Sequence, residues 1–374
     1  MSDKNFINYH ILISHSPSCL NRDDMGMQKT AVFGGVRRVR ISSQSLKRAI
    51  RKSKYYATHF KNPSVRTKHL GWLLDKSKEE LSDKYSEEII TSVILEISGV
   101  KDIQEDTKSG AVAAWSVSEI DKYCELYQKL KTENKNEKEF EKAWEKTTKK
   151  ENFKKFNDAF QNSMDIALSG RMATSGIMTT IDAAMSVAHV ITTHAVDGDI
   201  DWFTAVDDLT REHGDTGAAH LDTQEFSAGV FYRFASLNIG QLQENLGKVD
   251  RDKALDIAAH LLHMIATVVP EAKQNSTGAY NMADFACISF SDQPVSLANA
   301  FESPVKAAES GGFTQPSIDA FAEYKDKIYK GYGLQDDVGF FSLKDVSMEG
   351  EKQDTLAKLE EWVRNNGKEP KDKE

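Results

Sequence analysis

The 374-residue sequence is poor in cysteine, proline and long apolar runs. Its three cysteines, Cys19, Cys124 and Cys287, stand far apart, which excludes a disulfide framework and a CxxC metal or redox motif. Only seven prolines, in a chain that is 40% hydrophobic, argue against long disordered linkers. No run approaches the ~18 apolar residues of a membrane span, and Met1–Asn8 lacks the features of a signal peptide. We therefore expect a globular, cytoplasmic protein with no membrane partner.

Sequence motifs of common enzyme classes are also missing. There is no Walker-type phosphate loop, no GxSxG and no GxGxxG. His260 and His263 lie three residues apart on a predicted helix, but no acidic residue completes an HExxH-type pattern. We therefore expect a binding protein without catalytic activity, metal or cofactor. The alternative is a metal-dependent nuclease in which His15, Asp23 and Asp24 form the metal cluster.

The sequence does have a strongly segregated charge. The formal net charge is −9, yet Arg22–Lys54 holds ten basic residues against two acidic ones, Asp23 and Asp24. This window therefore carries +8, which leaves −17 on the rest of the chain. A basic window on an acidic body predicts a local anion-binding surface.

The end of the basic window predicts a short helix with a cationic face. Ser42 or Ser43 caps it, and Leu46 and Ile50 point inward. Four side chains at i, i+3, i+4 and i+7 share another face: Gln44, Lys47, Arg48 and Arg51. Cations beside short polar groups, at the positive end of a helix dipole, suit a nucleic-acid backbone. A solvated helix with internal salt bridges is the disfavoured alternative, because residues 26–58 contain no acid.

Hydrophobic periodicity predicts an alternation of strands and helices. The predicted strands are Phe6–Ile13, Met185–Thr193, Gly229–Leu237 and Phe285–Ser291. Besides the capped helix, the predicted helical segments are Leu70–Leu81, Glu87–Ile97, Val112–Leu130, Lys138–Leu168, a helix from Asp250 or Asp252 to before Pro270, Ser296–Ala308, Ser317–Tyr329 and Thr355–Asn366. Without the insertions, the order is strand, helix, strand, strand, helix, strand. This order is typical of the split ferredoxin-like or RNA-recognition arrangement.

Three further segments suit a nucleic acid, and each has a simpler alternative. Lysines recur every three or four residues over Lys135–Lys154, but interspersed glutamates make a salt-bridged surface helix an equal alternative. Trp202 and Phe203, the aromatic pair in Asp199–Thr204, suit stacking on bases, or else they pack onto the sheet as part of the hydrophobic core. The small-residue loop Ser169–Gly176 lets a ligand backbone approach closely, or simply turns the chain.

Long motifs of one known family recur along the chain. They are Phe6–Asn8, Ile13–Asp24, Arg38–Arg48, Leu168–Gly176, Asp199–Asp208 and Gln224–Phe226. These segments closely resemble the CasC family, the crRNA-binding backbone subunits of the type I-E CRISPR Cascade surveillance complex. The resemblance runs nearly end to end. It departs mainly around Lys131–Lys155, near Ile181–Ala184 and in the C-terminal tail.

The resemblance implies an α+β fold shaped like a hand. An RRM-like (ferredoxin-like) palm carries an inserted helical fingers domain and an inserted thumb hairpin. The implied boundaries are 1–58 for the first part of the palm, 59–180 for the fingers, 181–195 for a palm strand, 196–225 for the thumb hairpin, and 226–374 for the remaining palm with its C-terminal helices.

The resemblance also implies roles for individual residues. The RNA backbone would be held by Arg22, Ser42, Gln44, Lys47 and Arg48, and the helix face adds Arg51. The guide would be contacted by Arg171 and Met172, and a displaced base would be wedged at the thumb tip by Trp202, Phe203 and Thr204. Target DNA would be tracked by Lys138, Lys142, Lys146 and Lys149.

The function implied is that of a non-catalytic subunit that polymerises along crRNA. The resulting helical filament is the backbone of an antiviral Cascade complex, and it presents the guide for pairing with target DNA. The expected partners are crRNA, target DNA, further copies of the chain and other Cascade subunits. Guide pairing, rather than the protein, would supply sequence specificity. Two alternatives stay open: a metal-dependent ribonuclease that processes CRISPR RNA, and a structural oligomer without nucleic acid.

Overall fold

The computed structural model describes residues 3–61, 63–134, 136–148, 158–172, 177–205 and 220–369, with only the backbone at 203–205 and 220–222. The chain divides into two compact units. The first unit comprises Met1–Ser53, Val187–Ser236 and Leu255–Glu374. The second unit comprises Lys54–Ser186 and Leu237–Ala254.

The fold is of the mixed α+β class, with helices and strands following one another along the chain. The elements up to Phe60 are β1 (Phe6–Ser18), β2 (Thr30–Phe33), β3 (Val36–Ile41), α1 (Ser43–Lys52) and α2 (Lys54–Phe60). The next are β4 (Val65–His69), α3 (Leu70–Leu81), α4 (Glu87–Ser98), β5 (Lys108–Trp115), α5 (Val117–Glu133), α6 (Glu137–Thr147) and α7 (Met164–Ser169). There follow β6 (Met185–Val187), β7 (Val190–Thr192), β8 (Asp199–Ala205), β9 (His220–Asn238), α8 (Ile239–Asn245), α9 (Arg251–Thr267) and α10 (Gln274–Thr277). The last are β10 (Phe285–Ser291), α11 (Thr314–Tyr332), β11 (Asp337–Ser342), β12 (Glu351–Lys352) and α12 (Leu356–Arg364).

A single large sheet organises the first unit. Its strands lie in the order β12-β11-β10-β1-β9-β7-β3-β2, and β8 pairs with β9 outside this path. The four strands predicted from the sequence, now β1, β7, β9 and β10, are neighbours in it. β10 is antiparallel to β1, with Phe6 opposite Ser291 and Leu12 opposite Phe285. Because β10 is central, all seven of its residues are buried.

Consecutive residues of β1 face opposite sides of the sheet, and each side packs against a helix. The Tyr9 hydroxyl donates to the carbonyl of Ala258 on α9 at 3.1 Å. His10 faces the other side, where its ring lies 5.4 Å from that of Phe321 on α11. The predicted alternation of Phe6–Ile13 is therefore confirmed, and the strand continues to Ser18.

The second unit has its own hydrophobic core and a two-stranded sheet. β4 and β5 pair antiparallel, with Val65 opposite Trp115. Leucine and isoleucine side chains of α3 and α4 pack there with aromatic side chains of α5 and α6. The predicted helices Leu70–Leu81 and Glu87–Ile97 are confirmed, the second ending one residue later, before Gly99 in the left-handed conformation.

Two predictions within the second unit are wrong. Residues 112–115 were predicted as helix but belong to β5, because they pair with β4 and the Trp115 indole donates to the Thr67 carbonyl at 3.1 Å. Ser116 caps the following helix, so α5 begins at Val117. The predicted segment Lys138–Leu168 is not one helix, because α6 ends at Thr147 and α7 begins at Met164.

Three predictions within the first unit also need correction. Ser296–Ala308 forms only a 3₁₀ turn at Ala298–Phe301, because the carbonyls after that turn accept from a buried arginine instead of continuing a helix. The segment Met185–Thr193 is two short strands rather than one. The strand β11 was not predicted at all.

The segment Leu237–Ala254 belongs to the second unit, whereas the sequence analysis assigned it to the palm. Its α8 side chain Asn245 donates from Nδ2 to the carbonyls of Ala167 and Asp182, both at 2.8 Å. The Gln161 amide likewise donates to the Leu246 carbonyl at 3.1 Å. These contacts join the segment to residues of the predicted fingers. No helix in the described part of the chain is long and apolar enough to cross a membrane.

Candidate nucleic-acid interface

Helix α1 is fixed in place by its buried face and by its capped N-terminus. Leu46 and Ile50 are buried, as the sequence predicts. The Ser42 hydroxyl accepts from the Ser45 backbone N–H at 3.2 Å, which makes Ser42 the N-cap. The Ser42 N–H in turn donates to Asn21 Oδ1 at 2.8 Å. The predicted helix and its cap are confirmed, and Asn21 is an additional anchor that the sequence did not reveal.

The remaining sides of α1 present the predicted polar and basic side chains. Gln44 and Arg48 are exposed, and Lys47 and Arg51 are half-buried. The first turn has no acidic residue, and Arg51 and Lys52 lie in the last turn. The positions of Lys47 and Arg51 thus match a surface that binds an anion, although their side chains also interact within the chain.

An open groove runs along α1. One wall is formed by Ser45, Arg48, Ala49 and Lys52 of the helix. The remaining lining residues are Leu20, Asn21, Pro270, Glu271 and Ala272. The groove therefore joins two cations, at Arg48 and Lys52, to a mainly uncharged opposite wall.

Other arginines of the basic window hold the fold together instead. Residues 30–41, for which no strand was predicted, form the hairpin β2–β3, whose turn residues Gly34 and Gly35 both have positive φ. Arg38 is fully buried and donates to the carbonyls of Thr192, Phe301 and Glu302 at 2.9–3.3 Å. Burial lowers the pKa of Arg38. Only part of the +8 net charge of the basic window Arg22–Lys54 is therefore available to a ligand.

Arg22 lies at the base of a tight loop in front of α1. It is exposed and forms a β-bridge with Gln28. Asp23 organises the loop, because its Oδ1 accepts from the N–H groups of Met25 and Met27, both at 2.9 Å. Lys29 closes the loop by donating its N–H to the Asn21 carbonyl at 2.8 Å. Arg22 and α1 are thus both connected to Asn21.

The predicted thumb contains a β-hairpin formed by β8 and the first part of β9. Asp199 pairs with Phe226, and Ala205 pairs with His220. Trp202 is 68% exposed and shares a face of β8 with Ile200, which is also exposed. The backbone of Phe203 and Thr204 continues the strand, but their side chains lie outside the described atoms. Of the two alternatives for the aromatic pair, the exposure of Trp202 favours a binding surface.

Glu225 fixes the base of the thumb hairpin, a role the sequence did not reveal. One carboxylate oxygen accepts from Arg37 at 2.6 Å, and the other accepts from the Gln28 N–H at 3.1 Å. A Cβ at Gly198 would lie 2.0 Å from this carboxylate, so the close approach requires glycine. Glu225 thereby connects the thumb to the Arg22 loop and to the basic hairpin.

Arg171 has a structural role, which changes the prediction for this residue. Its guanidinium forms a bidentate ion pair with the two carboxylate oxygens of Glu119, at 2.6 and 2.8 Å. It also donates to the Thr179 carbonyl at 3.1 Å. Both side chains are buried. Burial is the largest single influence and lowers the pKa of Arg171, but the charge and the hydrogen bonds of Glu119, together with Tyr123, outweigh burial and raise this pKa. Only the neighbouring Met172, 81% exposed, remains a predicted guide contact.

Three of the four predicted DNA-tracking lysines lie on α6. Lys138, Lys142 and Lys146 are exposed and spaced four residues apart, opposite the buried Phe140 and Trp144. Glutamates flank this lysine stripe, as they do in the sequence. The fourth, Lys149, lies outside the described residues.

The residues of the nuclease alternative are engaged within the chain. His15 is buried; its Nδ1 lies 3.3 Å from Asn281 Oδ1, and its Nε2 accepts from Arg233 at 3.3 Å. Burial, helped by the Arg233 charge, lowers the pKa of His15 to about 3. Asp23 organises its own loop, as described above. Among the described residues, no group of three or more His, Cys, Asp or Glu could hold a metal ion.

Comparison with known proteins places this arrangement in a family. One similar chain comes from a solved structure described as a "CRISPR RNA-guided surveillance complex, pre-nicking". The two sequences are 27% identical, and the alignment covers 96% of this chain and 100% of the other. The two structures superpose with a TM-score of 0.76. A second, from a "CRISPR RNA-guided surveillance complex", is 24% identical over 96% of this chain and 99% of its own, with a TM-score of 0.59, and shows a common fold. No curated protein sequence matches. The model of the family described as CT1975-like protein matches residues 7–365. Since that match spans almost the whole sequence, the chain belongs to the CT1975-like protein family.

Proposed function

We propose that this protein is a non-catalytic, guide-RNA-binding backbone subunit of a Cascade-type CRISPR surveillance complex, as the CasC resemblance implies. Copies would polymerise along crRNA, together with other subunits of the complex, and present the guide for pairing with target DNA. The observation that carries the proposal is the cationic face of α1. This face borders an open groove at Arg48, and residues 26–58 contain no acid; the one acid among the described residues that line the groove is Glu271, on the opposite wall.

The chemistry of this face suits an RNA backbone. Arg48 and Lys52 line the groove and offer charge to phosphates, and Gln44 is exposed on the same helix for sugar and phosphate oxygens. Ser42 itself acts as the helix cap, so its hydroxyl positions α1 rather than facing a ligand directly. The RNA-binding set then consists of Arg22, Gln44, Lys47, Arg48 and Arg51, with Lys52 as a further cation in the groove.

The exposed Trp202 supports a second part of the proposal. A tryptophan that is 68% exposed on a hairpin strand is available to meet a base or a neighbouring copy. The thumb would then wedge against a displaced nucleotide at regular intervals. The lysine stripe of α6 would track target DNA at a separate surface.

RNA binding by the purified chain tests the proposal directly. The chain should co-purify with RNA, seen as excess absorbance at 260 nm, and should bind single-stranded RNA without cleaving it in the presence of Mg²⁺. Replacing Lys47, Arg48 and Arg51 together by Ala should weaken binding for every RNA sequence. It should also flatten the logarithmic salt dependence by about 2 units, because each lost single-strand phosphate contact removes about 0.7.

A matched triple variant separates this effect from a general loss of charge. Lys138, Lys142 and Lys146, all replaced by Ala, remove the same charge from α6. This variant should keep the RNA affinity and its salt slope, and lose affinity for target DNA. Unchanged RNA binding in the α1 variant would contradict the proposal, and specific cleavage of precursor RNA would favour the ribonuclease.

A further inference from the structure

The segment Pro270–Ala283 begins in the wall of the groove that faces α1. Pro270, Glu271 and Ala272 line the groove opposite Arg48 and Lys52. After this wall the chain passes through the single turn of α10 and returns towards β10. No motif in the sequence predicts a function for this segment.

The Gln274 side chain connects Pro270, at the start of the segment, with Ala279. Its buried side-chain Nε2 donates both to the Pro270 carbonyl at 3.1 Å and to the Ala279 carbonyl at 3.3 Å. A single nitrogen atom cannot reach two carbonyls unless these lie close together. The Ala279 carbonyl therefore lies near the Pro270 carbonyl, and Tyr280 is the next residue along the chain, outside the residues that line the groove.

Asn281 then fixes the backbone on both sides of itself to the end of β1. Its Oδ1 lies within 3.3 Å of His15 Nδ1 and of the Ser16 N–H, and within 3.4 Å of the Ser16 hydroxyl. The flanking side chains are nevertheless turned to solvent: Tyr280 is 70% exposed and Met282 is 71% exposed. The chain thus holds a large aromatic ring and a thioether outside the core on a well-anchored segment.

We propose that Tyr280, with Met282 two residues further on, is a stacking platform for a base of the RNA whose phosphates lie on α1. The inference rests on the proposed function and assigns a further contact to the same site. An aromatic ring stacks on any base, because every base has a π-face, and it adds affinity without adding charge. The groove that begins at Pro270 carries the cations Arg48 and Lys52 against the carboxylate of Glu271, and this excess of positive charge favours a nucleotide over an apolar protein partner.

The test compares RNA with and without bases. Binding of the full chain to a labelled oligoadenylate, and to an abasic sugar-phosphate oligomer of the same length, is measured by fluorescence anisotropy. Tyr280→Ala should weaken oligoadenylate binding by about 5- to 100-fold, the range of single base–aromatic stacks. The same variant should leave binding of the abasic oligomer unchanged. The salt slope should stay that of the wild type, since no phosphate contact is lost.

Two further variants control for folding and for general exposure. Tyr280→Phe should bind oligoadenylate like the wild type, because stacking needs the ring and not the hydroxyl. Tyr332→Ala removes a tyrosine that is 77% exposed at the end of α11 and should change neither affinity. Equal losses on both oligomers would overturn the platform, because they would indicate a contact with the sugar-phosphate backbone or a change in the fold. The absence of any loss in Tyr280→Ala would overturn it as well. A wild-type chain that binds neither oligomer would overturn the proposed function, and the platform with it.

Discussion

Basic residues a few positions apart in this chain have opposite surroundings. Arg38 is fully buried and bonded to backbone carbonyls, whereas Arg48 is exposed and lines the groove along α1. Loss of Arg38 would leave these carbonyls without a donor and would act through stability. Loss of Arg48 would act through binding. A screen that scores only loss of function would not distinguish a loss of stability from a loss of binding. For each variant, both the melting temperature and the RNA affinity should therefore be measured.

The Arg171–Glu119 pair gives the first prediction at this scale. Arg171→Met should lower the free energy of unfolding by about 3–5 kcal/mol, because it leaves the Glu119 carboxylate buried without its partner. Adding Glu119→Leu should recover most of this loss, since two apolar side chains leave no buried charge. Urea denaturation of the wild type and the two variants measures both effects.

The neighbouring Met172 supplies the matched control. Met172→Ala should leave the urea midpoint unchanged, because its side chain is 81% exposed. An Arg171→Met protein with normal stability and weakened RNA binding would instead indicate that the Arg171 side chain contacts the guide RNA.

Two buried histidines predict a pH dependence of stability. Burial lowers the pKa of both His10 and His15 to about 3, with further lowering by Lys325 and Arg233 respectively. Between that value and the unfolded pKa of about 6.5, the unfolded chain binds more protons, so stability should fall as pH falls. The fall should reach about 1.4 kcal/mol per pH unit and per histidine well below pH 6.5.

Urea denaturation between pH 7 and pH 5 measures this slope, in a window above most carboxylate titration. His15→Gln keeps hydrogen-bonding groups near Asn281 and Arg233 but cannot titrate. It should therefore show a shallower slope than the wild type, whatever its absolute stability. Identical slopes for the two proteins would contradict the assignment to His15.

At the scale of elements, the thumb hairpin combines an anchored base with an exposed face. Glu225 fixes the base through Arg37 and Gln28, while Ile200 and Trp202 face solvent from β8. Anchoring of this kind orients a strand without covering its outer side chains. We expect that face to become covered only in the assembly with RNA and a neighbouring copy.

Trp202→Ala tests this expectation. The variant should melt like the wild type, because removal of an exposed side chain leaves no cavity. It should fail to form ordered assemblies on RNA, as measured by sedimentation. Trp72→Ala is the matched control, since Trp72 is 57% exposed on α3 in the other unit, and it should assemble normally. A large fall in the melting temperature of Trp202→Ala would show that the indole belongs to the core.

The elements that could be predicted from the sequence are those with strong local signals. Helix α1 has a capping serine and two apolar residues at helical spacing, and β10 has an apolar run of strand length between breakers. No strand was predicted for the hairpin β2–β3, in which arginines occupy three of the six positions of β3. Its Gly34-Gly35 pair is a hairpin turn signal that the basic charge obscured.

The other elements and contacts of the site could not be predicted, because they depend on partner residues that are distant in sequence. β5 is a strand because β4 pairs with it, although its residues also fit the start of a helical pattern. Glu225 gives no local sign of its contacts with Arg37 and Gln28, which lie almost two hundred residues earlier. Arg171 resembles any other loop arginine until Glu119 is placed beside it.

At the scale of the whole molecule, the charge distribution suits a chain that coats RNA. The basic window carries +8 and the remaining chain −17. Most of the surface would therefore repel nucleic acid, and under the proposed function this would confine RNA to basic surfaces such as the part of the first unit that contains α1. Repulsion elsewhere would also discourage non-specific aggregation of copies that have no RNA.

The mode of assembly gives the last prediction. Copies that meet head to tail through two different surfaces form an open helix when the rotation between them does not close. If the proposed function holds, RNA length should then set the number of copies. Native mass spectrometry with RNAs of increasing length should show complexes that grow by one chain at a time, without a preferred maximum. The α1 variant with Lys47, Arg48 and Arg51 replaced by Ala should not show this growth, because it lacks the RNA contacts that align the copies. A fixed number of chains on every RNA would indicate a closed oligomer, and growth of the same size without RNA would favour the purely structural alternative.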